Sequence, residues 1–188
     1  MVTMNSKDEK RIVVVDNFFS HPHMARFKGL YQRYWDKESH PIPSSINSFP
    51  GVRGVDLSFT DPKMNENVRS KIQNCLNVRG IRGNVNNKQD EFRLNYSLTF
   101  DTTPYSYHYD IEYSNGLQNF AGIIYLNPNS PKGYGTTLVF PKKKIEIENV
   151  FNRMVIYPTS VYHSLSGSFG TNRFNGRMVL SIFFNLLT

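Results

Sequence analysis

Cysteine is nearly absent from this chain: Cys75 is the only one among 188 residues. One thiol closes no internal disulfide and builds no multi-cysteine zinc or iron–sulfur site. No apolar run approaches the roughly 20 residues of a membrane-spanning helix, so an integral membrane protein is not expected. The stretch from Met1 to Arg11 is polar and charged and lacks the apolar core of a secretory signal. A cytoplasmic location is therefore expected, in the host-cell cytoplasm if the protein is viral. Alanine, the strongest helix former, occurs twice, at Ala25 and Ala121. Acidic residues are also the minority: 22 Lys and Arg against 15 Asp and Glu leave a formal charge of +7.

Aromatic residues, by contrast, make up 14% of the chain, with 14 Phe and 11 Tyr. Together with abundant β-branched residues they favour strands over helices. The length fits one domain, and a chain of this size buries about 70% of its unfolded surface without staples. Arg11–Asp16 reads as a short buried strand. Ser20 has the character of a helix N-cap with Pro22 in the first turn. Met24, Phe27, Leu30, Tyr31 and Tyr34 then recur at helical spacing and predict a helix over 21–35 whose apolar stripe faces the core. The stretch Asp36–Gly54 is a long loop rich in Pro, Ser and Gly. Pro62 opens a second helix, with Val68, Ile72, Cys75 and Leu76 on one face, ending near Gly80. Asn84–Asp90 is turn-rich.

From Glu91 onward the period changes to two. Phe92, Leu94, Tyr96, Leu98 and Phe100 alternate with polar residues in the first strand, Glu91–Phe100. Further strands are predicted at Tyr105–Glu112, Asn119–Leu126, Thr136–Phe140, Arg153–Tyr157, Tyr162–Leu165 and Arg177–Asn185, separated by turn signals. Two helices followed by at least seven strands imply an α+β domain whose strand-rich half is a sandwich, jelly roll or barrel. Residues 1–90 form the flanking strand and helices, and residues 91–188 the core that carries the chemistry.

Of five histidines, His21 and His23 lack a carboxylate at ligand spacing, and His40 lies in the long loop. His108 and His163 differ. In Tyr105-Ser106-Tyr107-His108-Tyr109-Asp110, strand alternation puts His108 and Asp110 on one face. There they can chelate an ion, or simply hydrogen-bond as a strand histidine and a neighbouring acid. His163 follows 55 residues later, and Arg177 opens the last, apolar strand. A buried guanidinium needs an anionic partner; the alternative is that Arg177 marks an exposed strand start. Two histidines and one carboxylate with open positions form the facial triad of non-haem iron(II) oxygenases.

His108-x-Asp110, His163 and Arg177, in that order, resemble the double-stranded β-helix iron(II)/2-oxoglutarate oxygenases, and most closely their prolyl 4-hydroxylase-like branch. Gly122-Ile123-Ile124-Tyr125-Leu126-Asn127 is similar to that branch's apolar strand ending in Tyr-Leu-Asn. Gly133 to Pro141 is similar to its glycine-rich segment ending in Phe-Pro, with Tyr134 in place of one glycine. Phe151–Tyr157 is similar to its strand before the distal histidine. The resemblance spans about residues 91–185; Val13–Phe18 and Ser48–Arg53 also resemble an uncharacterised bacterial and phage group of the superfamily.

The resemblance implies a jelly-roll, cupin-like core with supporting N-terminal helices. It implies iron(II) on His108, Asp110 and His163, and 2-oxoglutarate held by Arg177 and Tyr125, with Tyr96 lining the pocket. It implies O₂ as oxidant, ascorbate as a supporting reductant, and succinate and CO₂ as co-products. The expected reaction is hydroxylation of a C–H bond in a protein or peptide side chain, prolyl first, or in an amino acid or other small metabolite. Phe183 stands where a nucleic-acid repair subgroup carries a second arginine. From another class, the charge, Lys142-Lys143-Lys144, Arg79, Arg82 and the tyrosines fit a nucleic-acid-binding module, though the charge is spread along the chain and the lysines read as a solvated turn. A non-catalytic structural protein on the same fold is the third reading. The sequence is silent on oligomeric state.

Overall fold

The computed structural model describes residues 9–31, 51–86, 92–110 and 118–187. Tyr34, His40, most of the Asp36–Gly54 loop and most of the Ile111–Gln118 loop lie outside the described residues.

The larger of three sheets is six-stranded and antiparallel. It comprises β1 (Val13–Val15), β2 (Val52–Arg53), β4 (Phe92–Thr99), β5 (Phe120–Tyr125), β8 (Met154–Pro158) and β10 (Arg177–Phe184) in the order β1-β8-β5-β10-β4-β2. Opposite it stands a three-stranded sheet in the order β7-β6-β9, from β6 (Thr136–Phe140), β7 (Lys143–Ile147) and β9 (Tyr162–Leu165). A two-stranded ribbon pairs β3 (Asn84–Val85) with β11 (Leu186–Leu187). The helices are α1 (Pro22–Tyr31), the short α2 (Leu57–Thr60) and α3 (Pro62–Val78).

Alternation along the large sheet creates two cores. Leu94, Tyr96 and Leu98 of β4 and Met178, Leu180 and Ile182 of β10 face the helices and meet Val68, Ile72 and Leu76 of α3. The intervening Tyr125, Val155, Tyr157 and Val179 face the small sheet and meet Leu138, Phe140 and Ile147. Period two therefore sends the apolar row of β4 to the helical layer and leaves its other row to the space between the sheets. This is an α+β double-stranded β-helix, with the helices covering the outer face of the larger sheet.

Local signals explain the α3 ends. The Asp61 carboxylate accepts from the Met64 amide, and Pro62 occupies the first turn, which satisfies one orphan donor and needs none at the proline. At the other end Gly80 takes a φ of +69°, and the Ile81 amide caps the Leu76 carbonyl, the reversal that glycine permits without a Cβ clash.

Helix α1 departs from its expected orientation. Ala25 and Gly29 are its buried residues, whereas Met24, Phe27 and Tyr31 are exposed. The cause is close approach. A Cβ on Gly29 would lie 2.7 Å from the Tyr96 ring and 2.9 Å from Met178 Sδ, so the helix presents its narrowest side.

Two more expectations change. Of the lysine run read as a turn, Lys142 lies in a turn but Lys143 and Lys144 open β7, where Ile145 and Ile147 point inward; lysine on an edge strand discourages foreign pairing. The strand predicted at Tyr105–Glu112 is, among its described residues, a single bridge joining His108 to His163. No described helix is long and apolar enough to cross a membrane.

Candidate metal centre

The bridge is what assembles the cluster. The His108 amide donates to the His163 carbonyl at 2.9 Å, and the His163 amide returns the bond at 3.0 Å. Residues paired in this way point to the same side, so both imidazoles face the inter-sheet space with ring centroids 4.4 Å apart. Asp110, two residues beyond His108, joins them. Its Oδ1 lies 3.6 Å from His108 Nε2, and its Oδ2 lies 3.3 Å from His163 Nε2. One ligand atom from each of the three falls within 4.8 Å of the others.

Both rings are oriented from behind. His108 Nδ1 lies 3.0 Å from the Ser106 carbonyl, and His163 Nδ1 lies 2.9 Å from the Val161 carbonyl. Each ring is thereby anchored at Nδ1 on a main-chain carbonyl, which turns each Nε2 toward Asp110, the arrangement in which a partner behind the ring orients a histidine ligand. Asp110 and His163 are buried, while His108 stands at the rim with 28% of its side chain exposed.

Burial pushes the Asp110 pKa up, but His163, His108 and the more distant Arg53 outweigh it and hold the carboxyl below its ordinary value. For His163 burial wins over the attraction of Asp110, and the imidazole is held below its ordinary value, hence neutral. The cluster thus offers two imidazole nitrogens, that of His163 held neutral, and one carboxylate.

Arg177 opens β10 directly across from Thr99. Its guanidinium is fully buried: Nη2 donates to the Gly135 carbonyl at 3.3 Å, and Nε has no hydrogen-bond partner. It lies 5.5 Å from the centroid of the Tyr125 ring. Among the described residues no carboxylate pairs with it. Burial therefore lowers its pKa, with Tyr125 and Tyr157 opposing. The Tyr125 hydroxyl donates to Thr136 Oγ1 at 2.9 Å on the same inner face. A buried cation with an idle N–H and a phenol beside it is a receptor for a carboxylate.

Tyr96 is not part of this arrangement. It pairs with Leu180, points to the helical layer, and donates its hydroxyl to the Ala25 carbonyl at 2.8 Å. Its place in the apolar row of β4 fixes its face. Burial, with Asp61 adding to it, pushes the pKa of its phenol well above the ordinary value, out of reach as an acid. His21 and His23 lie at the start of α1, away from the cluster.

Two residues join the site that no motif singled out. Tyr157, the penultimate residue of β8, has its ring centroid 4.8 Å from that of His163 and its hydroxyl 3.5 Å from Asp110 Oδ2. Alternation from Val155 was the signal, since Val155 and Tyr157 share the inner core. Arg53 pairs with Ser97, so it faces the same side, with its guanidinium 5.8 Å from the Phe183 ring.

No family model matches the chain, and no curated protein matches it in sequence. Solved structures match in fold. The prolyl hydroxylase of Trichoplax adhaerens, in complex with a hypoxia inducible factor oxygen degradation domain peptide fragment, superposes with a TM-score of 0.67 at 16% identity, over 93% of this chain and 83% of that one. A prolyl-4-hydroxylase of Pseudomonas putida gives 0.60 at 13% identity, over 94% and 93%. The non-haem alpha-ketoglutarate-dependent epimerase SnoN from nogalamycin biosynthesis gives 0.60 at 10% identity, over 93% and 77%. The likeness is one of architecture, shared by proteins that do different chemistry.

Proposed function

We propose that this chain is an iron(II)- and 2-oxoglutarate-dependent oxygenase that hydroxylates an unactivated C–H bond. The observation that carries the reading is a coincidence on one inner face. A His108–Asp110–His163 cluster fit for one ion shares that face with a buried Arg177 whose Nε has no partner. The donor set suits a non-haem iron(II) site with open positions, and the idle guanidinium suits the far carboxylate of a dicarboxylate co-substrate.

His108, Asp110 and His163 would hold the metal, and Arg177 with Tyr125 would hold 2-oxoglutarate. When bound, these groups with O₂ supply the oxidising power, 2-oxoglutarate leaving as succinate and CO₂, with ascorbate keeping the iron reduced. The chain's own part is placement. The two backbone-anchored imidazoles present Nε2, Asp110 supplies one negative charge, and Arg177 sets which end of the dicarboxylate lies deep. Leu138, Val155 and Val179 wall the space and keep water out.

For substrate we favour a protein or peptide side chain, prolyl first, because two of the similar folds are prolyl hydroxylases and one of them holds a peptide. A free amino acid or another small metabolite is the second choice, supported by the epimerase of a biosynthetic pathway on the same fold. We take the chain to act as one domain, residues 1–90 flanking residues 91–188, in the cytoplasm.

The test is direct. Purified protein with iron(II), ascorbate and 2-oxoglutarate should release succinate, slowly without substrate, and His108→Ala should abolish it. Mass-spectrometric screening of peptides and amino acids for a 2-oxoglutarate-dependent gain of one oxygen then identifies the substrate. Absence of both metal binding and succinate overturns the reading. Nucleic-acid binding that weakens steeply with salt would favour the basic-module alternative.

A further inference from the structure

Tyr157 is a buried phenol set against the cluster, and the proposed reaction gives it no task. Phenylalanine would fill the same volume between β8 and the small sheet without taking a hydroxyl out of water. A phenol hydroxyl buried this far calls for a partner, and the acceptor the structure gives it is Asp110 Oδ2, at 3.5 Å. That oxygen is the one 3.3 Å from His163 Nε2, while Oδ1 faces His108. The Tyr157 ring also backs the His163 ring at 4.8 Å between centroids. One side chain thus touches two of the three members of the cluster, from β8, a strand that contributes none of them.

We propose that Tyr157 is a positioning residue of the metal centre, its hydroxyl holding Asp110 Oδ2 so that the carboxylate presents Oδ1 to the ion. A carboxylate held by one oxygen occupies one coordination position rather than two. That leaves room for a chelating co-substrate. The inference rests on reading His108, Asp110 and His163 as a metal site. It makes Tyr157, not Tyr96, the tyrosine beside the metal.

The experiment uses the full chain and Mn(II), whose free ion is counted by its paramagnetic resonance signal. Wild type should bind Mn(II), and Tyr157→Phe, which keeps the ring, should bind it roughly 10–100-fold more weakly, the usual loss for a supporting partner of a metal ligand. A metal-free measurement runs beside it. Tyr157→Phe should lower the urea midpoint in the wild-type background and leave it nearly unchanged in an Asp110→Asn background, because the two side chains interact. Mn(II) affinity within twofold of wild type, or equal midpoint shifts in both backgrounds, overturns the proposal and leaves the metal reading standing. A wild-type chain that binds no Mn(II) overturns both. Should Tyr157→Phe fail to fold, the double variant Asp110→Asn/Tyr157→Phe decides. Recovery of folding supports a bond to the carboxylate, and continued failure assigns Tyr157 to packing and overturns the proposal.

Discussion

His108 and His163 are paired residue to residue, each backbone amide donating to the other's carbonyl at 2.9 and 3.0 Å. A cluster made of residues 55 positions apart in sequence thus depends on one bridge between a loop and the edge of the small sheet. Because the pair is held by backbone, removing either imidazole leaves the bridge in place. Both His108→Ala and His163→Ala should lose metal binding, by at least the roughly 10–100-fold that loss of a mere supporting partner costs. Stability should separate them. His163 is buried and its removal leaves a void, so we expect a loss of about 1–3 kcal/mol. His108 stands at the rim, and its loss should stay within about 1 kcal/mol. Urea denaturation without metal measures both, and equal costs would contradict the burial difference.

Arg177 gives a prediction of opposite sign for stability and for binding. It is a fully buried cation with no carboxylate partner among the described residues, so the folded chain without co-substrate bears its desolvation. Arg177→Met replaces it with an apolar chain of similar length. We expect the ligand-free urea midpoint to stay level or rise, by up to roughly 1–4 kcal/mol on the precedent of buried ion pairs replaced by apolar residues. Addition of 2-oxoglutarate with Mn(II) should stabilise wild type by about 2.7 kcal/mol at a hundredfold excess over its Kd and leave the variant unmoved. A ligand-free variant weakened by several kcal/mol would mark Arg177 as a structural cation instead.

Much of this was legible in the sequence, and the exceptions have physical causes. The alternation from Phe92 to Leu98, the Pro62 helix start and the apolar strand after Arg177 are local signals, and the structure follows them closely. His108-x-Asp110 was legible as a pair, though its regular strand was not, because a single bridge suffices to align two side chains. Tyr96 shows two signals in conflict: the family resemblance implied the pocket, its place in the β4 alternation fixed the helical side, and the alternation prevailed. In β7 Lys143 and Lys144 masked a strand whose inward residues begin only at Ile145. For α1 the helical period revealed a stripe but not which side meets the sheet, since that depends on how closely Gly29 lets the helix approach Tyr96. For Tyr157 the alternation from Val155 signalled the inner face but not the task, because its significance lies in an acid 47 residues away.

Gly29 makes the close approach of α1 measurable. A methyl group there would press against the Tyr96 ring, which is itself held by its hydroxyl on the Ala25 carbonyl, and against Met178 Sδ. Neither neighbour is backbone, so the fold should survive with strain. Alanine's better helix propensity, worth about 1 kcal/mol over glycine, works against the roughly 1–3 kcal/mol that overpacking costs. We expect Gly29→Ala to be destabilising on balance, and Gly29→Ala with Met178→Ala to recover part of the loss. A Gly29→Ala variant more stable than wild type would show that α1 can move off the sheet at little cost.

The first strand offers a test in acid. β1 is held to β8 by three residue pairs, from Val13 with Ile156 to Val15 with Met154. Just beyond them Arg153 grips Asp16 with both arms of its fork, Nε to Oδ1 at 2.6 Å and Nη2 to Oδ2 at 3.0 Å. The hydrogen bonds from Arg153 lower the Asp16 pKa below its ordinary value, its slight burial opposing. In the unfolded chain this carboxyl titrates near its ordinary ~3.9, so its contribution is complete above about pH 5 and disappears as pH falls through the lower folded value. The Asp16 side chain is 53% exposed, and solvent screening limits an exposed pair to at most roughly 1 kcal/mol. Asp16→Asn should therefore be slightly less stable than wild type at neutral pH by urea denaturation. The gap should shrink below about pH 4 and vanish once the folded carboxyl is protonated. It should also narrow at 1 M salt, where the screening length falls to about 3 Å. A gap that persists undiminished at pH 2 would mean that Asp16 acts through its shape at the end of β1, with its charge contributing nothing.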